Sequence, residues 1–167
     1  MRKRNAKFRL KRQDGIYTVI APTAASQDYT PEQAWEIIEP VQVAVQRLLD
    51  GTADAADYRR VGCAFNVGAV RAAHIKGNNA PALAIFRAAG QAMGHAERLK
   101  EQHGKLGLTG PGRQAVREAM EVYEMLIRES SPRQMYDAEN EMVKLLAIQA
   151  SQQRQANPNH HQKESHA

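Results

Sequence analysis

Thr30-Pro31-Glu32-Gln33 opens a run in which apolar residues recur every three or four positions, and four more such runs follow before residue 150. That period is the spacing of one helix face and not the alternation of a half-buried strand. Thr30 can cap, Pro31 suits the first turn and Gln33 can complete a capping box. The first helix then buries Ala34, Ile37, Ile38, Val41, Ala44, Val45 and Leu48 and stops at Gly51. Pro40 is expected to kink or divide it, because it removes one internal hydrogen bond and its ring crowds the preceding turn.

The second run follows Thr52, with Asp54 and Asp57 complementing the positive helix start, and is expected to reach Lys76 before Gly77. Its inner stripe reads Tyr58, Val61, Phe65, Gly68, Ala72 and Ile75; Gly62 and Gly68 each cost about 1 kcal/mol relative to Ala in a helix, which points to close helix approach. The third run spans Ala80 to His103 with Ala82, Ile85, Phe86, Ala89, Met93, Ala96 and Leu99 inward, ending at Gly104. A Gly-rich loop over 104–112 leads to a fourth helix carrying Val116, Ala119, Met120, Tyr123, Leu126 and Ile127. Ser131-Pro132-Arg133-Gln134 repeats the capping-box pattern and starts a fifth, with Met135, Ala138, Met142, Leu145 and Leu146 facing inward.

The expectation is therefore an all-α fold, a single compact bundle of about five helices over residues 30–150. The low aromatic share of 5% and the abundance of Ala suit helices packed through small side chains. At 167 residues the chain has material for one core. Residues 151–167 are rich in Gln, Asn, His and Ser and read as a disordered tail or a frayed helix extension, since they bury too little to offset their ordering entropy.

Residues 1–29 read as an extended arm in which Asp14-Gly15, flanked by KFRLKRQ and IYTVI, suits a short hairpin turn. The first thirteen residues hold Arg2, Lys3, Arg4, Lys7, Arg9, Lys11 and Arg12 and no acid; without those seven charges the formal +5 becomes −2 for residues 14–167. A basic arm on a nearly balanced body suits contact with an anionic polymer, so these seven residues are the candidate DNA- or RNA-binding site. The apolar stretch from Gly15 to Ala25 is short and broken by Tyr17, Thr18 and Pro22, which argues against an export signal. No window approaches the ~20 apolar residues of a membrane span, so a soluble protein without membrane attachment is expected. Cys63 is the single cysteine and fits a reducing cytoplasm.

Chemistry-bearing motifs are sparse. Gly107, Gly110 and Gly112 fit neither the P-loop nor the dinucleotide spacing, and read first as a turn and helix cap; Lys105, Gly110, Gly112 and Arg113 form a secondary candidate for an anion or partner contact. His95, Glu97, Glu101 and His103 lack the spacing of a metalloprotease helix, and His160, His161 and His166 sit in a polar tail, so no metal is expected. Cys63 and His74 lie eleven residues apart, about 16 Å along a continuous helix, too far to pair; Cys63 reads as a small buried residue near Val67 and Val70. Asn66, between apolar stripes, is expected to hydrogen-bond to another helix or loop. Glu118, Glu121, Glu124, Glu129, Asp137, Glu139 and Glu141 give the last two helices an acidic bias that reads as a solvated face. With no nucleophile, base and stabilising group in one arrangement, a non-enzymatic module without a cofactor is expected.

Gly51-Thr52, Asp57-Tyr58, Ala64-Phe65-Asn66 and the run from Gly107 to Arg117, GLTGPGRQAVR, resemble small helical proteins encoded on proteobacterial plasmids and prophages. The similarity spans about residues 30–128, and GL-x-GPG-x-QA is its most specific part. It carries over no catalytic or binding residue. It implies a mobile-element accessory protein in the bacterial cytoplasm and no particular biochemistry; the basic arm adds DNA or RNA as the expected partner, and the alternative is an inhibitor or adaptor bound to a host protein, such as an anti-defence protein.

Overall fold

A computed structural model describes residues 11–13, 16–18, 28–104 and 107–156. Over the body it is an all-α bundle of five helices: α1 Pro31–Asp50, α2 Ala55–Ala73, α3 Ala80–His103, α4 Gly110–Arg128 and α5 Pro132–Ala156. In the arm, β1 (Lys11–Gln13) and β2 (Ile16–Thr18) pair antiparallel with Gln13 opposite Ile16, the two-residue register expected around Asp14-Gly15. The other arm residues and the tail beyond 156 lie outside the described residues.

The cap chemistry sets the helix starts. In α1 the Thr30 N–H donates to Gln33 Oε1 (3.0 Å) and the Gln33 N–H to Thr30 Oγ1 (3.3 Å). Ser131 and Gln134 repeat the exchange at α5, at 2.9 and 3.3 Å. Gly51, the α1 cap, has φ 73°, a left-handed conformation that a Cβ disfavours. Pro40 leaves α1 undivided, and the carbonyl its ring orphans belongs to exposed Glu36, where water can take the bond.

Two helix ends differ from expectation. α2 stops at Ala73, three residues before Lys76, because Asn79 Nδ2 donates to the Ala73 carbonyl at 3.1 Å and closes the corner; Ile75 is consequently 38% exposed and leaves the inner stripe. α5 continues to Ala156, six residues into the segment read as a disordered tail or a frayed helix extension, and Leu145 and Leu146 are 51% and 44% exposed instead of inward. Beyond Met142 every side chain described on α5 is exposed.

α2 packs against all four other helices and forms the centre of the bundle. Gly68 makes this possible: a Cβ there would stand 2.7 Å from Phe86 Cζ and 3.2 Å from Tyr123 Cδ2, so α3 and α4 press their rings onto the bare backbone. Phe86 also meets Phe65 with ring centroids 6.0 Å apart, tilted by 53°. Gly62 has no such role, since its nearest neighbour would be Met93 Cε at 3.9 Å. Ile38, Leu48, Val61, Val116, Leu126 and Ile127 are fully enclosed in the core.

Candidate functional site

The arm enters the bundle at Tyr29. This residue is buried, and its N–H donates to the Ser130 carbonyl at 3.4 Å, which pins the root of the arm to the corner between α4 and α5. Burial, and then the Glu139 carboxylate, push the Tyr29 hydroxyl well above the ordinary phenol range. Buried Tyr123 is raised in the same way by burial, with Tyr29 and Glu139 adding to it. Of the seven arm cations, Lys11 and Arg12 lie on β1, opposite Thr18 and Tyr17. Arg2, Lys3, Arg4, Lys7 and Arg9 lie outside the described residues.

Of the expected Gly-rich loop over 104–112, the final three residues belong instead to α4, because Thr109 caps that helix and its Oγ1 accepts from the Gly112 N–H at 3.3 Å. Gly112 is buried, and a Cβ on it would meet Ala92 of α3 at 3.2 Å. Cap and close packing thus account for Thr109 and Gly112. Gly110 has open space around it, Arg113 is exposed, and Lys105 lies outside the described residues.

The remaining candidates separate. Cys63 is half-buried, not enclosed, and burial followed by Glu139 pushes its thiol up, away from the thiolate a nucleophile needs. His74 caps the end of α2 and pairs through Nε2 with Glu141 at 2.9 Å, far along the helix from Cys63. Asn66 is exposed, so it does not tie α2 to another element. Glu97 lies beside Tyr58, whose hydroxyl is pushed up to about 12, first by burial and then by that carboxylate. Among the described residues no group of three or more His, Cys, Asp or Glu side chains could hold a metal, and no helix is long and apolar enough to cross a membrane. Within the acidic bias, Glu124 pairs with Arg128 at 2.7 Å, Asp137 with Arg133 at 3.0 Å and Glu141 with His74.

Sequence reasoning missed the buried polar contacts. Arg71 Nε donates to fully enclosed Ser130 Oγ at 2.8 Å, joining the end of α2 to the corner where the arm enters. Asp57 is 2% exposed and takes Arg47 at 3.4 Å and Arg60 at 3.6 Å, fastening the start of α2 to α1. The available signal was positional: Arg71 falls one turn after Gly68 on the buried face of α2. These contacts are structural ties between helices. No protein-family model, curated protein or solved structure matches the chain.

Proposed function

We propose that this is a non-enzymatic accessory protein of a bacterial mobile element, working in the cytoplasm and binding nucleic acid through its basic N-terminal arm. One observation carries the reading: seven cations and no acid stand in residues 1–13, while residues 14–167 sum to −2. Repulsion within such a segment is relieved when phosphates replace its counterions. The anchored Tyr29 supports it further, because the arm then springs from a fixed point on a rigid bundle. Binding would be weakly sequence-selective, as the body contributes no base-reading motif. The alternative reading, an inhibitor or adaptor for a host protein, draws on the apolar side chains that α5 exposes.

Affinity for duplex DNA should fall steeply with salt; about four phosphate contacts give a log–log slope near −3.6. Deleting residues 2–12 should abolish binding and leave the helical circular dichroism intact. Equal binding by the full chain and the deletion, or no binding by either at low salt, would overturn the reading.

A further inference from the structure

Two exposed faces of the bundle combine apolar side chains with charge of opposite sign. The first is the outer side of α1. Glu32, Trp35, Glu36, Glu39, Val43 and Asp50 recur at helical spacing and are all exposed, with Trp35 at 43% and Val43 at 45%. The four acids of α1 face one cation, Arg47, which is committed to Asp57. Gln46 holds Asp50 through two hydrogen bonds of 3.0 Å, whereas among the described residues Glu36 and Glu39 meet no cation. The tryptophan therefore sits in a field of uncompensated negative charge.

The second is the end of α5. Among the described residues, the last ties to the body are His74 to Glu141 and the buried Met142. From Val143 onward every side chain described on α5 is exposed, including Val143, Leu145, Leu146 and Ile148 at 44–55%. This segment of the helix, over residues 143–156, projects for about 21 Å. It contains no acid, and Lys144 shares a face with Ile148 one turn on, which in turn neighbours Leu145. Four large apolar residues within six positions, each about half exposed, make a surface that water disfavours and a partner helix would cover.

We propose that the protein self-associates, with the α5 end of one copy lying along the outer face of α1 of a second copy. Leu145 and Ile148 would pack beside Trp35 and Val43, and Lys144 would approach Glu36 and Glu39. The two faces suit one another in three respects: both are helical and unpartnered, both present large apolar side chains, and their charges are opposite. Made reciprocally, the contact closes a two-fold dimer in which each copy donates one α5 and receives one. It does not use the basic arm, which stays available for phosphate contacts.

Sedimentation velocity of the full chain at about 100 μM and low salt tests this. A species heavier than the monomer is expected. Leu145→Ser with Ile148→Ser should return the monomer without loss of helical signal, since neither side chain is covered by the body. Glu36→Lys with Glu39→Lys should weaken association about tenfold, Lys144→Glu should do the same, and combining the charge reversals should restore part of the loss. A monomer throughout overturns the proposal. So does an oligomer indifferent to both the α1 and the α5 changes, which would place the contact elsewhere. An oligomer lost on deleting residues 2–12 and on the α1 change, but not on the α5 change, also overturns it, because the basic arm would then be what α1 receives. Arm-dependent DNA binding is read in a separate assay, so either proposal can fail without the other.

Discussion

α5 changes character at Met142. Before it, Met135 and Ala138 are buried in the bundle; after it, Val143, Leu145, Leu146 and Ile148 stand in solvent, although both stretches carry apolar residues at helical spacing. The difference lies in what stands opposite. α2 ends at Ala73, and Asn79 closes its corner, so the α5 stripe runs past the body that would have covered it. An amphipathic pattern therefore records what a helix can bury, whereas the neighbour's length decides what it does bury.

The sharpest way to break this comparison is a pair of truncations. Met135→Ala, inside the supported half, should cost about 2–5 kcal/mol of unfolding free energy, through lost transfer energy and a cavity. Leu145→Ala, in the unsupported half, should change monomer stability by no more than about 0.5 kcal/mol. Urea denaturation of both variants, at concentrations where the monomer dominates, measures the contrast. Equal losses would mean that the end of α5 is covered within one chain.

α2 offers a parallel case with a smaller expected effect. Gly62 and Gly68 look alike in the sequence, but only Gly68 carries aromatic rings against its backbone. Gly68→Ala must displace Phe86 or Tyr123 and should destabilise by about 1–3 kcal/mol, offset in part by the helix preference of Ala. Gly62→Ala has room, and should stabilise by up to about 1 kcal/mol. Thermal unfolding of the two variants should shift in opposite directions.

The smallest effect sharpens the contrast between buried and open polar groups. Tyr29, Tyr58 and Tyr123 all have phenols raised above the ordinary value of 10, Tyr58 to about 12. Below pH 10 both folded and unfolded chains hold these protons, so stability is unaffected. Above it the unfolded chain releases them first, and stability should decline as pH rises toward the folded values. Urea midpoints at pH 8, 10 and 11 would show the fall only above pH 10, and Tyr58→Phe should reduce it.

The starts of α1 and α5 were legible in the sequence because a cap is a local device: Thr30 with Gln33 and Ser131 with Gln134 each close hydrogen bonds within three residues. The ends of α2 and α5, the fate of Ile75, Leu145 and Leu146, and the bond from Arg71 to Ser130 were not legible. None is set within a single turn: the bond that closes the α2 corner reaches across six residues, and that from Arg71 to Ser130 across fifty-nine. For the candidate site, the charge segregation of the arm is a property of composition and could be read directly. The acidic Trp35 face and the bare end of α5 could not, because exposure exists only once every other helix has been placed. The number and period of the helices and the caps of α1 and α5 thus follow from interactions within a turn or two. Where each helix stops being covered follows instead from how the helices pack, because burial is a relation between elements that no single segment contains.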